Sequence, residues 1–109
     1  MASPVKQSAI EEVARTIAER FSPEKIILFG SQARGDSDPA SDIDLLVLFA
    51  DLEESRRRTA AMYLAVRKFL LPVEIVVSSV RRFERYKNVV NTVFWPAARE
   101  GRVLYERAA

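Results

Sequence analysis

The chain contains neither cysteine nor histidine among its 109 residues. The first absence excludes disulfides and thiolate metal sites. The second excludes Ser-His-Asp catalysis and imidazole-bound zinc. No apolar run reaches the ~18 residues that a membrane helix needs. The N-terminal stretch MASPVKQSAIEE lacks the apolar segment of a secretory signal, so a cytoplasmic protein is expected. What remains is chemistry built on carboxylates, hydroxyls, backbone amides and Lys/Arg, and such ligands suit hard cations such as magnesium.

A hydrophobic content of 49% is that of an ordinary globular protein, and the length suits a single domain over residues 1–109. The net charge of +2 hides an asymmetry. Residues 1–52 carry nine acids against five bases, and residues 53–109 carry six acids against twelve bases. A basic half beside an acidic site would attract an acidic or phosphate-bearing partner; the alternative is a set of solvated helix faces.

The clearest helix is 8–21, where Ile10, Val13, Ala14, Ile17 and Phe21 fall on one stripe. Ser8 and Glu11 have the spacing of a capping box, and Ser22-Pro23 ends the helix. KIILF (25–29) reads as a short buried strand, GSQARG as a turn with room for one helical turn, and DSDPAS as a polar loop. Residues 42–49 form the second strand. A long helix is expected over 52–70, with Glu53 and Glu54 near its start and Met62, Val66, Phe69 and Leu70 as its buried stripe. VEIVVS (73–78) is a third strand, and Ser79 can cap a short helix from 80 to 86. Residues 89–100 read as helical with a break near Trp95, because Pro96 cannot sit deep inside a helix. Gly101 then caps it, and RVLYE (102–106) is a last strand. The few residues between strands one and two leave little room for a parallel crossover, so an α/β (α+β) fold with a small mixed or antiparallel sheet backed by helices is expected.

Asp42 and Asp44 stand out. Asp is a poor strand former, and strand alternation puts both carboxylates on one face at the strand's start, with Leu46 and Leu48 continuing that face. Two like charges held so close should not both stay ionised without a cation, and one or two magnesium ions would resolve the repulsion. Ahead of them, Gly30 permits close backbone approach to a ligand, Ser31 adds a hydroxyl, and Arg34 lies one helical turn further on, able to reach the same anion. Glu74, a charge within an apolar strand, can complete the cluster and take a proton from an attacking hydroxyl if strand three lies beside strand two. A rim salt bridge with Arg67 is the alternative for Glu74. Arg56–Arg58, Arg81, Arg82, Arg85 and Lys87 read as solvated faces, or as an edge that meets a partner. Phe94, Trp95 and Tyr86 read as core or interface rather than a base-stacking platform.

The run GSQARGDSDPASDIDLLV, with Gly-Ser, some ten residues and then Asp-x-Asp, resembles the signature of the DNA polymerase beta-like nucleotidyltransferase superfamily. Its Ala-Arg-Gly and Ser-Asp-Ile-Asp-Leu-Leu-Val segments are similar to the smallest branch, the minimal nucleotidyltransferases (MNT), antitoxins paired with HEPN-domain ribonuclease toxins. The leading helix, the third strand and the closing EGRVLYE fit the same layout. The resemblance implies two magnesium ions and ATP as nucleotidyl donor. Gly30 and Ser31 would bind its phosphates, Arg34 matches a recurring position, and Asp42 and Asp44 would hold metal. Glu74 stands where most relatives carry Asp, and its extra methylene moves the carboxylate outward. The expected function is AMP transfer from ATP to a hydroxyl, such as a Tyr of a cognate HEPN toxin, with Asp42, Asp44 and Glu74 as catalytic and metal-binding residues. The alternatives are a non-catalytic antitoxin that acts by binding, and a small-molecule nucleotidyltransferase working with a second subunit. Neither a membrane nor a nucleic acid is expected as a direct ligand. A homo- or hetero-oligomer is consistent with so small a chain.

Overall fold

A computed structural model describes residues 4–35 and 41–108, with the side chains of residues 4 and 5 left aside. The elements, in order, are α1 (Pro4–Phe21), β1 (Lys25–Phe29), α2 (Ser31–Arg34), β2 (Ile43–Phe49), α3 (Ser55–Val66), a 3-10 turn (Arg67–Phe69), β3 (Val73–Ser79), α4 (Val80–Tyr86), α5 (Phe94–Glu100) and β4 (Arg102–Glu106). The polar loop expected over DSDPAS lies largely outside the described residues.

The four strands form one mixed sheet in the order β3-β2-β1-β4. β1 pairs antiparallel with both β2 and β4. β2 pairs parallel with β3, with α3 and the 3-10 turn making the connection. The expectation of a mixed sheet holds for the reason given: the link from β1 to β2 is too short for a crossover, whereas the link from β2 to β3 is long enough to carry a helix.

β2 is central, and strand alternation divides it between two cores. Ile43, Leu45, Val47 and Phe49 face Ile10, Val13 and Ile17 of α1 and Met62 and Val66 of α3. Leu46 and Leu48 turn to the other side, against Ile27, Phe83 of α4 and Phe94 and Ala97 of α5. Phe94 joins the second core through an edge-to-face contact with Phe83, ring centroids 6.1 Å apart, and a stacked one with Tyr86 at 6.2 Å. The reading of Phe94 and Tyr86 as core holds. Both sheet faces are covered, which is why β2 is apolar at nearly every position beyond Asp44.

Several boundaries differ from expectation, each for a local reason. α1 begins at Pro4, so Ser8 lies inside the helix and no Ser8–Glu11 capping box forms there. Proline suits a first helical position, where its missing N–H would have had no partner. α3 begins only at Ser55. Asp51 Oδ1 accepts from Glu53 N at 2.9 Å and from Arg58 Nη2 at 2.9 Å, and this side-chain turn keeps 51–54 out of the helix. The backbone bond from Glu53, and then Arg58, hold the Asp51 carboxyl below its ordinary pKa. Arg58 is thereby a tether across the Phe49 ring, at 4.3 Å, and not a solvated charge. At its other end α3 tightens into the 3-10 turn, which rotates Leu70 off the buried stripe, and Leu70 is 90% exposed. The helix expected over 89–100 starts at Phe94. Asn91 takes a left-handed φ of 74°, and Thr92 Oγ1 donates back to Val89 O at 2.8 Å, so the preceding segment is a turn. Pro96 then occupies the third helical position, where no donor is required of it.

Ser79 caps α4 as expected, accepting from Arg82 N at 3.1 Å. Gly101 ends α5 with ordinary φ, and its need is for space: a Cβ there would strike Ala97 O and lie 2.6 Å from Ile27 Cγ2.

Candidate functional site

Three strand ends meet at one edge of the sheet. The C-terminal end of β1 delivers Gly30, the N-terminal end of β2 delivers Asp44, and the N-terminal end of β3 delivers Glu74. In register, Phe29 lies opposite Asp44, and Asp44 lies opposite Glu74. Neighbouring strands run about 4.8 Å apart, so the Asp44 and Glu74 backbones are adjacent. Leu46 and Val76 pair in the same register and both join the second core, so Asp44 and Glu74 project from the face that α4 and α5 cover further along. Asp42 precedes β2 by one residue, exposed, two positions from Asp44 and so about 6.6 Å away along the chain.

The electrostatics reflect this crowding. Partial burial pushes the Asp44 carboxyl above the ordinary carboxylate range, and the charges of Glu74 and then Asp42 push it further in the same direction. Asp44 therefore senses both other acids. Glu74 makes no ion pair with Arg67 among the described residues, so the rim-bridge alternative is not what the structure forms.

The Gly-Ser turn presses directly on Asp44. Gly30 has φ 75°, a backbone conformation L side chains rarely adopt. A Cβ at Gly30 would fall on Asp44 Oδ2 and lie 3.3 Å from its Cγ. Glycine here serves two purposes: it lets the chain turn from β1 into α2, and it leaves room for the carboxylate. Ser31, half-buried, opens α2, and Ala33 N and Arg34 N both donate to Gly30 O at 3.1 and 3.2 Å. Gly35, at φ 79°, closes the turn by donating to Ser31 O at 3.0 Å.

Arg34 is placed elsewhere. Its Nη1 lies 3.3 Å from Glu100 Oε2 at the end of α5, with both side chains nearly half exposed. An exposed pair of this kind contributes ~0–1 kcal/mol. Two contributors escape a reading of the sequence: Gln32 of α2 and Lys6 of α1, which both donate to Ser41 O. Gln32 occupies a short polar turn with no periodicity to mark it as buried, and Lys6 lies 35 residues from its acceptor.

The donor set is hard oxygen throughout, which fits magnesium. Among the described residues no three acids are gathered tightly enough to cage an ion by themselves. Magnesium sites that use one or two carboxylates are completed by substrate phosphates and waters. Asp42 and Asp44 fit as that carboxylate pair.

A mixed four-stranded sheet that opposes a Gly-Ser turn to an Asp-x-Asp strand start defines a nucleotidyltransferase-type domain. The family model described as "Nucleotidyltransferase domain" matches residues 10–97, and the chain belongs to that family. Two proteins of Methanocaldococcus jannaschii, each named "Putative protein adenylyltransferase", are similar to it. MJ0141 is 34% identical over 71 residues, 65% of this chain and 67% of its own length. MJ0604 is 32% identical over 106 residues, 92% and 98% of the two chains. Among solved structures, one described as a "putative minimal nucleotidyltransferase" superposes with a TM-score of 0.54 at 25% identity, covering 94% of this chain and 95% of the other. A "putative nucleotidyltransferase" from Sulfolobus solfataricus has the same fold, with a TM-score of 0.59 at 24% identity over 92% of this chain and 79% of its own. So does a toxin-antitoxin structure with AMP-PNP, with a TM-score of 0.52 at 19% identity over 90% and 73%.

Proposed function

We propose that the chain is a cytoplasmic antitoxin that transfers AMP from ATP to a hydroxyl of a partner protein, with a tyrosine of a HEPN-domain toxin as the acceptor. The observation that carries this reading is the register of Gly30, Asp44 and Glu74 at one sheet edge, with Asp42 two residues from Asp44. Burial, with the charges of Glu74 and Asp42, raises the proton affinity of Asp44, and this is what a divalent cation would relieve.

In the proposed step the acceptor oxygen forms a bond to the α-phosphorus. The bond from that phosphorus to the oxygen bridging to the β-phosphate breaks, and pyrophosphate leaves with the electron pair. The hydroxyl proton passes to Glu74 or Asp44. Two magnesium ions, when bound, would neutralise triphosphate charge as it shifts towards the leaving group. Asp42 and Asp44 would hold them, with substrate phosphates and waters completing the set and Glu74 beside Asp44. Gly30 and Ser31 would receive the phosphates, and Arg34 would exchange Glu100 for one of them.

Two observations support a protein as acceptor. The relatives named above are described as protein adenylyltransferases. The outer face of α3 and the turn that follows, leading into β3, leave Leu64 66% and Leu70 90% exposed, a surface suited to contact with another chain. The HEPN identity of the partner and the tyrosine acceptor rest on the resemblance of the sequence to the minimal nucleotidyltransferases. A toxin-antitoxin structure with AMP-PNP shares the fold, which is consistent with a toxin as the partner.

The test is incubation with labelled ATP, magnesium and the product of the adjacent gene. Label is expected on that protein, and Asp42→Ala should remove it. If no label moves, and Asp42→Ala neutralises the toxin as well as the wild type does, the transfer reading fails and antitoxin action by binding alone replaces it. Label on a small molecule instead would favour an enzyme working with a second subunit.

Glu74 has its own prediction. As the general base, Glu74→Gln should lower kcat by about 10²–10⁴. Glu74→Asp, which retains the carboxylate, should stay within about tenfold of wild type, one tenfold step being ~1.4 kcal/mol. Equal rates for wild type and Glu74→Gln would remove Glu74 from the catalytic set and leave the proton to Asp44.

A further inference from the structure

Two donors from separate helices converge on one backbone oxygen. Lys6 Nζ, from α1, lies 3.1 Å from Ser41 O. Gln32 Nε2, from α2, lies 3.2 Å from the same atom. Ser41 is the residue immediately before Asp42. On the other side of Asp42, Ile43 N donates to Pro72 O at 2.7 Å. Asp42 is itself exposed, and no hydrogen bond or ion pair engages its carboxylate among the described residues. Its position therefore depends on the backbone on its two sides: Pro72 holds one, and Lys6 and Gln32 are among the groups that hold the other.

Gln32 holds its share at a cost. The residue is 5% exposed, and its buried Oε1 has no hydrogen-bond partner among the described residues. A buried acceptor without a donor destabilises the fold. Turning the amide over does not help, since Oε1 would then face Ser41 O and the bond would be lost. An unbranched apolar residue of similar length would fill the same space without an orphaned atom. A polar amide here makes sense if the bond to Ser41 does something that packing cannot.

We propose that Gln32 is a positioning residue: through the Ser41 carbonyl it fixes the approach to β2, which sets where the Asp42 carboxylate stands relative to Asp44 and the Gly30 turn. Lys6 is the second tether of the same atom. This rests on the reading that Asp42 and Asp44 hold magnesium beside a nucleotide, and is independent of what the acceptor is.

The variant that separates positioning from packing is Gln32→Met. Three quantities are measured: the melting temperature of the ligand-free protein, the magnesium-dependent affinity for AMP-PNP, and amide exchange at residues 42 and 43. Outer partners that orient metal ligands typically change affinity 10–100-fold, so about a tenfold loss is expected for Gln32→Met. The melting temperature should hold or rise, and amide exchange should quicken. Lys6→Met should weaken binding likewise, and Lys6→Arg, which keeps a donor, should restore it. Wild-type affinity in Gln32→Met overturns the proposal. So does a fall in melting temperature beyond about 8 °C, which would mark Gln32 as packing. A wild type that shows no magnesium-dependent binding overturns it too. A wild type that binds AMP-PNP with magnesium yet transfers no AMP would fell the proposed reaction and leave the role of Gln32 standing.

Discussion

Asp44→Asn is expected to abolish nucleotidyl transfer and, at neutral pH, to raise the melting temperature of the ligand-free protein. The two effects have one origin. Burial and the charges of Glu74 and Asp42 raise the Asp44 pKa in the folded state. The folded protein then holds its proton to higher pH than the unfolded chain does. Below the ordinary carboxylate range both states are protonated, and no penalty exists. As pH rises through that range the unfolded chain ionises first, so stability falls until the raised folded-state pKa is passed. Asparagine removes the charge and with it the penalty. A rise is expected at pH 7, kept modest by solvent screening of a group that is only partly buried. The gap should close as pH falls below about 4, where the wild-type carboxyl is protonated in both states. Magnesium with nucleotide should stabilise wild type and leave Asp44→Asn unmoved. The loss of activity should be at least about 10³-fold: a carboxylate-held cation supplies several kcal/mol of charge stabilisation, and each 1.36 kcal/mol is tenfold. Calorimetric melts at about pH 3 and pH 7, with and without magnesium, check the whole pattern. A destabilised Asp44→Asn at pH 7 would mean that the carboxylate is a structural anchor instead.

Gly30→Ala should be the most damaging small substitution near the site. The φ of 75° costs a non-glycine residue ~1–2 kcal/mol. The new Cβ falls on Asp44 Oδ2, and such overpacking adds about 1–3 kcal/mol. Asp44 can lessen the clash by swinging its carboxylate aside, but that removes it from the place where it would meet a cation. Activity should therefore fall further than stability does. The double substitution Gly30→Ala/Asp44→Ala isolates the contact: residues that touch couple by roughly 0.5–3 kcal/mol, so the double variant should be more stable than the sum of the singles implies. The dihedral cost remains in it, and the activity does not return. Strict additivity in denaturant melts would show that the carboxylate and the glycine do not share this space.

Much of the site was legible because its signals are local. Asp42 and Asp44 are conspicuous because charges do not belong at the start of an apolar strand, and alternation assigns them a face without knowledge of any neighbour. The same alternation correctly divides Leu46 and Leu48 from Ile43, Leu45, Val47 and Phe49. Glu74 is visible as a misplaced charge, but its pairing with Asp44 is not, since register depends on the length and docking of α3. The errors fall where side chains compete with helix formation. The Asp51 turn delays α3, the 3-10 turn ejects Leu70, and Asn91 with Thr92 holds the segment before α5 out of the helix. Hydrophobic periodicity carries no information about such bonds.

What the sequence determined by itself is the set of groups on offer: without cysteine or histidine, a Gly-Ser turn followed by paired aspartates leaves carboxylates, hydroxyls and backbone amides, donors of the kind that suit hard cations and phosphates. What only the tertiary structure decided is which groups act on one another. Gly30 meets Asp44 because β1 and β2 are antiparallel neighbours, Glu74 meets Asp44 because β3 joins in parallel, and Lys6 and Gln32 meet at Ser41 because α1 and α2 close over the start of β2. Those contacts span up to 35 residues of chain. They exist because burying two sheet faces sets the register, a global condition that no local pattern encodes.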